Sequence, residues 1–207
     1  ILEDSLEALT HFRRLGVRMM NLTWNHPNTA GMPAMAGRGP LTAFGCRLVD
    51  AMGREGVLCD VSHLNEDGFW TVLERSRLPV VASHSCARAL CDHPRNLTDE
   101  MIRALSERGG VMGINYYGGF LRDVPVGGED VSRVADMVAH MKHIRNVGGI
   151  QVIGLGSDFD GMGGDLELKT AADLPRLAQE MERQGFTEGE IEAVFAGNVL
   201  RVYRELL

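Results

Sequence analysis

Residues 56–63, GVLCDVSH, and residues 78–84, LPVVASH, decide the fold class of this 207-residue chain. Each stretch is a short apolar run that ends on serine and histidine. Continuous apolar runs of this length are typical of strands that are buried on both faces of a parallel sheet. Similar runs at 17–23, 110–116 and 151–158 bring the number of predicted strands to five.

The segments between the predicted strands change to a helical period. Apolar residues recur at helical spacing after residues 4–7, DSLE, which resemble a capping box. Further helices are predicted at 42–54, 66–75, 98–108, 131–147, 172–184 and 187–205, and the last of these opens on a capping box formed by Thr187 and Glu190. Alternating strands and helices predict an α/β fold with a parallel sheet and right-handed crossovers.

Polar residues cluster where the predicted strands end: His63 after the second, His84 after the third, Asn115 after the fourth and Asp158 after the fifth. Reactive groups at the carboxyl ends of several parallel strands are typical of the active-site face of a (β/α)8 TIM barrel. No GxGxxG or Walker A loop follows the first strand, so the common nucleotide-binding sheets lack their signature. Five units do not close an eight-stranded barrel, and we expect the remaining N-terminal strands to precede Ile1.

The composition excludes several classes of partner. With 44% hydrophobic and 24% charged residues, the chain is expected to fold as one soluble domain. A formal net charge of -7 with dispersed basic residues provides no surface for nucleic acid or an anionic membrane. No apolar run is long enough to cross a bilayer. The four cysteines form no CxxC pair and are expected to be buried or partly buried thiols.

His63 and His84 follow neighbouring predicted strands and should lie side by side at one rim of the sheet. Two neutral imidazoles in that position can hold a divalent metal such as zinc, while the second nitrogen of each ring needs an acceptor, for which Asp60 or a carbonyl could serve. A catalytic zinc commonly has three protein ligands and a water, so a further ligand must come from elsewhere. The alternative is that each histidine is only a polar residue at a strand end.

Two other residues of this rim are candidates for the chemistry. Asp158 follows a glycine-rich strand whose small residues would let a ligand or metal approach the backbone, and its carboxylate can orient water and move a proton. Asp160, beside Gly161, is interpreted as a turn residue. Arg95, in the loop after the third strand, is either a clamp for a substrate carboxylate or a solvated loop arginine.

Other histidines and cysteines are weaker candidates. His11, His140 and His143 are predicted to lie on solvated helix surfaces, since the helices of a barrel form its outer layer. Cys86 and Cys91 follow the third strand, but their spacing matches no common zinc motif.

Several motifs in order make the chain similar to the membrane (renal) dipeptidase family of zinc peptidases. They are 41–45 LTAFG, 56–63 GVLCDVSH, 79–85 PVVASHS, 95–96 RN, 113–117 GINYY, 156–161 GSDFDG and 197–202 GNVLRV. This resemblance spans nearly the whole chain. It implies a TIM barrel of the metal-dependent hydrolase type, of which residues 1–207 would be the C-terminal part with about five βα units.

The resemblance also implies a function and a site. It implies hydrolysis of dipeptides with an L or D residue at the carboxyl-terminal side, by a hydroxide that bridges two zinc ions. By this likeness His63 and His84 bind one zinc, Arg95 binds the terminal carboxylate of the dipeptide, and Asp158 exchanges protons with the water and the leaving amine. A homodimer and a cytoplasmic location are expected.

Two departures from the family pattern limit this inference. The His-x-Asp pair of the first barrel strand and the glutamate that bridges the two zinc ions are absent from the sequence, so this chain alone is expected to be inactive. Where many members have an oxyanion-stabilising histidine after the threonine, this chain has Trp24, and His26 follows two residues later. Trp24 is expected either to wall the substrate pocket or to lie in the core, and the oxyanion role stays open.

Two other functions stay open. A related amidohydrolase would use the same barrel and metals on lactams or N-acyl amino acids, and Arg95 separates these substrates from dipeptides only weakly, because acylated amino acids share the free carboxylate. A degenerate, non-catalytic barrel would act as a binding module. The absent ligands favour this last reading, and the retained residues at the strand ends oppose it.

Overall fold

The computed structural model describes residues 2–123, 128 and 130–206. Its main sheet is parallel and contains, from one edge to the other, β1 (Met19–Asn21), β2 (Leu58–Asp60), β3 (Val81–Ser85), β4 (Val111–Ile114) and β6 (Ile153–Leu155). A second parallel pair joins β5 (Val131–Ser132) to β7 (Asp165–Leu166). All five predicted strands are therefore present, although each is only three to five residues long.

Helices alternate with these strands as predicted. They are α1 (Leu6–Arg14), α2 (Ala43–Glu55), α3 (Glu66–Arg75), α4 (Asp99–Glu107), α5 (Gly118–Leu121), α6 (Val134–Gly148), α7 (Leu174–Arg183), α8 (Glu188–Glu192) and α9 (Asn198–Arg204). A π turn, Ala193–Gly197, joins α8 to α9, so the predicted helix at 187–205 is continuous. The predicted capping box of Thr187 and Glu190 is present at its start.

Two local predictions were wrong, and one short helix was not predicted. The cap of α1 is Ser5, whose side chain accepts the N–H of Ala8. Asp4 cannot be the cap because its φ of 65° is left-handed, whereas an N-cap is extended. Helix α6 begins only at Val134, because residues 131–132 pair with 165–166 as a strand. The four-residue helix α5 was not predicted, since so short an element shows no period.

Both faces of the main sheet are buried. On one face Cys59, Ala82 and Met112 belong to the large core formed with the helices. On the other face, Leu58 and Val81 pack in a smaller cluster with residues of α9. Apolar residues are therefore needed at successive positions, which explains the continuous apolar runs in the sequence.

Glycines allow three backbone segments to meet within the sheet. A Cβ atom on Gly113 would lie 2.2 Å from the carbonyl oxygen of Ser83, and one on Gly156 would lie 2.0 Å from the same atom. The glycine-rich strand was expected to admit a ligand or metal close to the backbone. At Gly156 the group that approaches is instead the backbone of a neighbouring strand.

We expect Gly156→Ala to lower the free energy of unfolding by about 1–3 kcal/mol, because the new methyl group would overlap the Ser83 carbonyl. Gly189→Ala is the matched control, since nothing lies within 4 Å of the added carbon and alanine favours a helix. Denaturant unfolding of both variants measures the difference. Equal unfolding midpoints would contradict the close approach.

The four cysteines are free thiols, with Cys46 partly buried and the other three buried, as predicted. His11 is exposed on α1, also as predicted. Among the described residues, no helix combines the length and the apolar character needed to cross a bilayer.

The prediction of a solvated surface is wrong for His140. Its side chain is 1% exposed, its Nδ1 accepts the N–H of Ala87, and its Nε2 donates to the carbonyl of Leu121. His143, one turn later, is half-buried and bonds Asp99 of α4. Helix α6 has an inner face that packs against other loops and helices, and His140 lies on that face.

Candidate functional site

His63 and His84 meet at the carboxyl ends of β2 and β3. His84 lies within β3, and His63 follows β2 by three residues. Their Nε2 atoms are 2.8 Å apart, and their ring centroids are 4.9 Å apart. The structure thus brings together the two residues that the sequence analysis selected as metal ligands.

Each of the two rings is held through its Nδ1 atom. His63 Nδ1 bonds the side-chain oxygen of Asn25 at 3.0 Å, and His84 Nδ1 bonds Ser83 Oγ at 2.7 Å. Ser83 Oγ donates its own proton to Asp60 Oδ2 at 2.5 Å, so it must accept the proton of His84. The sequence analysis offered Asp60 or a carbonyl as the acceptor for a histidine, and Asp60 instead acts through Ser83.

These partners fix both histidines in the same tautomer. An amide oxygen only accepts, so His63 carries its proton on Nδ1, as His84 does. Burial, followed by the charge of Arg95 and by His84, lowers the pKa of His63 to about 3. Burial and Arg95 also lower the pKa of His84. At neutral pH two unprotonated Nε2 atoms therefore face each other across 2.8 Å.

Two converging lone pairs repel each other unless a cation binds both, and this arrangement fits two ligands of a divalent metal. Zinc takes neutral imidazole nitrogen, and metal-bound histidines usually donate their other N–H to a fixed partner, as both rings do. Among residues 2–123, 128 and 130–206, no cluster of three or more His, Cys, Asp or Glu could hold a metal. A metal held by this pair would need further ligands.

Both His63 and Asp158 have a left-handed backbone, with φ of 70° and 61°. In the described part of the chain, the other non-glycine residues with positive φ are Glu3 and Asp4. This conformation costs a non-glycine residue about 1–3 kcal/mol and is concentrated at functional sites. The fold thus holds a candidate ligand and the candidate proton carrier in a conformation that is uncommon for residues other than glycine.

Asp158 lies on the same rim and is held by Asn115. The side-chain amide of Asn115 donates to Asp158 Oδ2 at 3.1 Å, and its oxygen accepts the N–H of Tyr117 at 2.7 Å. The carbonyl of Asp158 accepts the N–H of Gly161 at 3.0 Å and closes a turn. Asp160 is exposed in that turn, which agrees with its interpretation as a turn residue.

The guanidinium of Arg95 is buried within the same cleft. Arg95 is 5% exposed, and its Nη2 has no hydrogen-bond partner among the described residues. Its Cζ lies 5.4 Å from the ring centroid of Phe120. Burial lowers the pKa of Arg95 to about 10, against the attraction of Asp158 and Asp60, so the side chain stays charged at neutral pH. The solvated-loop interpretation is wrong, and a buried cation with an unused donor fits an anionic ligand.

His63, Arg95 and Asp158 line one cleft of about 390 Å³. A cleft of this size suits a small ligand such as a dipeptide. His93, Tyr117 and Phe120 form an aromatic wall, with ring centroids 4.6 Å apart for His93 and Phe120 and 4.9 Å apart for Tyr117 and Phe120. The lining comprises Trp24, Asn25, Met35, His63, His93, Arg95, Tyr117, Phe120, Asp158, Gly161, Met162 and Gly163.

Trp24 lines this cleft and is 68% exposed, so the core interpretation of this residue is wrong. His26 is also exposed, and it is not part of the described lining. Sequence reasoning missed Asn25, His93 and Phe120. Of these three, only His93 could have been selected from the sequence, because it lies two residues before the candidate Arg95.

Comparison with known proteins identifies the family. Residues 1–206 match the family model described as membrane dipeptidase, peptidase family M19. The chain is 36% identical over 213 residues to dipeptidase 3 of Rattus norvegicus, and this match covers 99% of the chain and 43% of that protein. It is also 36% identical over 205 residues to a Klebsiella pneumoniae protein called "Uncharacterized protein in pqqA 5'region", covering 96% of the chain and 75% of that protein.

A solved structure shows the same fold. The chain is similar to a metallo peptidase from Rhodobacter sphaeroides that is liganded with a phosphinate mimic of the dipeptide L-Ala-D-Ala, with a TM-score of 0.91 and 30% sequence identity. The match covers 99% of this chain and 60% of that chain. The parallel sheet and its helices thus form the α/β fold of the M19 amidohydrolase barrels, of which this chain covers a part. The chain belongs to the membrane dipeptidase family, peptidase family M19, whose members are metallopeptidases.

Proposed function

We propose that this chain is the C-terminal part of the barrel of a zinc-dependent dipeptidase that hydrolyses the single peptide bond of its substrate. The observation that carries this proposal is the buried guanidinium of Arg95, with an unused donor, in the cleft that also contains His63 and Asp158. A dipeptide has its free carboxylate one residue away from the scissile bond. Arg95, the proposed metal ligand His63 and Asp158 line one cleft of about 390 Å³, which supports such an arrangement.

The proposed metal ligands in this chain are His63 and His84. Their fixed Nδ1 protons and their facing Nε2 lone pairs support this role. The complete protein would add further ligands and hold two zinc ions. When bound, zinc polarises the scissile carbonyl and makes water a nucleophile at neutral pH.

The proposed role of Asp158 is to take a proton from the attacking water and to give one to the leaving amine. Asn115 holds one carboxylate oxygen and thereby orients the group in the cleft. A positioned carboxylate can transfer protons in both directions within one catalytic cycle. The strained backbone of Asp158 supports a functional role.

We extend the proposal to dipeptides with either an L or a D residue at the carboxyl-terminal side. Support comes from the Rhodobacter sphaeroides metallo peptidase, whose ligand mimics L-Ala-D-Ala. Arg95 would bind the terminal carboxylate of both kinds of dipeptide through its planar guanidinium.

Metal analysis of the full-length protein tests the site. We expect about two zinc ions per chain in the wild type. His63→Ala and His84→Ala should each lose roughly one zinc ion, because each substitution removes one of the roughly three protein ligands of that ion. His26→Ala is the matched control and should keep the wild-type content, since His26 is exposed outside the described lining.

An assay of the wild type with Gly-D-Ala runs beside the metal analysis. Hydrolysis together with zinc loss in both histidine variants supports the proposal. Unchanged zinc content in both variants would remove these histidines from the site. A full-length protein with neither zinc nor hydrolysis would instead be a degenerate binding module.

A further inference from the structure

We propose that His140 is a positioning residue for the wall of the cleft that binds the substrate carboxylate. This carboxylate wall consists of the loop 86–97, which carries Arg95, and helix α5, which carries Phe120. The inference rests on the proposed function, because it concerns how Arg95 is held in place for a carboxylate.

His140 lies in α6, outside the cleft, and joins the two parts of the carboxylate wall. Its Nδ1 accepts the N–H of Ala87 at 3.0 Å, and its Nε2 donates to the carbonyl of Leu121 at 2.9 Å. Ala87 lies near the start of the loop that carries Arg95, and Leu121 is the last residue of α5. One buried ring thus bonds the main chain of both segments.

The two partners of His140 admit one form of the ring. A backbone N–H can only donate, so Nδ1 carries no proton, and a carbonyl can only accept, so Nε2 carries one. A neutral imidazole satisfies both groups in a space where water has no access, since the side chain is 1% exposed. No apolar residue of similar size can make either bond.

Asn96 joins the same two segments at a second point. Its oxygen accepts the N–H of Cys86 at 3.2 Å, and its amide donates to the carbonyl of Phe120 at 2.8 Å. Asn96 is itself part of the loop, whereas His140 connects both segments to the helical layer. The hydrogen bonds of His140 and Asn96 together set the position of Arg95, whose Cζ lies 5.4 Å from the ring centroid of Phe120.

Loss of the two His140 bonds leaves the Ala87 N–H and the Leu121 carbonyl without partners among the described residues. The loop and α5 must then move to find new ones, because buried main-chain groups are nearly always bonded. A planar guanidinium binds a carboxylate by two parallel hydrogen bonds and is therefore sensitive to such a shift. His63 and Asp158 lie on other segments, so substrate binding should suffer more than the chemical step.

The experiment measures KM and kcat for Gly-D-Ala with the full-length, zinc-loaded protein. His140→Phe keeps a ring and removes both bonds, and we expect a rise in KM of roughly tenfold with little change in kcat. The side chain of His140→Asn is shorter. We expect its amide oxygen to keep the bond from the Ala87 N–H and the bond to the Leu121 carbonyl to be lost, so KM should rise less. His143→Phe is the matched control, because His143 lies on the same helix but bonds Asp99 of α4.

A KM above that of the wild type and of His143→Phe, at similar kcat, supports a positioning role. If His140→Phe does not fold, His140→Asn decides in the same way. A wild-type KM in the folded His140 variant would overturn the inference and leave His140 as a structural residue. Failure of the proposed function is separate, since it would show as a wild-type protein that does not hydrolyse the dipeptide.

Discussion

Asp158→Asn should lower kcat for a dipeptide by about 10²–10⁴-fold, the usual contribution of a positioned acid–base group. The amide that replaces the carboxylate can still accept the hydrogen bond from Asn115, so the geometry of the cleft should persist. It cannot take a proton from water. Zinc content and KM should therefore stay close to the wild-type values, and steady-state kinetics with metal analysis measures both.

Asp160→Asn is the matched control for this experiment. Asp160 lies two residues away and is exposed in the same turn, so its replacement should leave kcat unchanged. A kcat of Asp158→Asn within a factor of about two of the wild type would remove Asp158 from proton transfer, given the size of effect that such a role has.

Arg95→Met should raise KM for a dipeptide by roughly 30- to 1000-fold, since loss of one partner from a buried charge pair costs about 2–4 kcal/mol. Methionine fills much of the space of the arginine stem beside Phe120 but offers no donor to a carboxylate. Because the terminal carboxylate lies away from the scissile bond, kcat should change less than KM. Initial rates over a range of dipeptide concentrations separate the two.

The control for Arg95→Met is Arg103→Met on the exposed surface of α4, which should behave as the wild type. A dipeptide with an amidated carboxyl end adds a second control. Wild type and Arg95→Met should hydrolyse this amide at similar rates, because neither can form the ion pair. An unchanged KM for the free dipeptide in Arg95→Met would rule out the carboxylate clamp.

The strands were predictable because burial on both faces demands apolar residues at successive positions. The runs at 56–62 and 78–84 mark β2 and β3 correctly but overestimate their lengths. The hydrogen-bonded register between these two strands includes only Asp60 and Val81, a limit that no composition rule reveals. Helix α5 and the pair of strands at 131–132 and 165–166 were missed, since two to four residues are too few to show a period.

The convergence of His63 and His84 was predictable for a geometric reason. The carboxyl ends of neighbouring parallel strands meet at one rim, so residues at those ends must lie close together. The partners of the two rings were not predictable, because Asn25 and Ser83 are selected by side-chain orientation. His140 was misplaced because the sequence does not show which loops pack against the inner face of α6.

The backbone conformation of His63 and Asp158 lowers the stability of the fold at two residues of the candidate site. A left-handed conformation suits glycine, and a residue with a Cβ loses about 1–3 kcal/mol there. The folded state is therefore less stable at both positions than it would be without this conformation, while an imidazole and a carboxylate stay in the cleft. Glycine at either position would relieve this backbone cost but would remove the imidazole or the carboxylate, so a substitution that relaxes the backbone there is expected to remove the proposed activity.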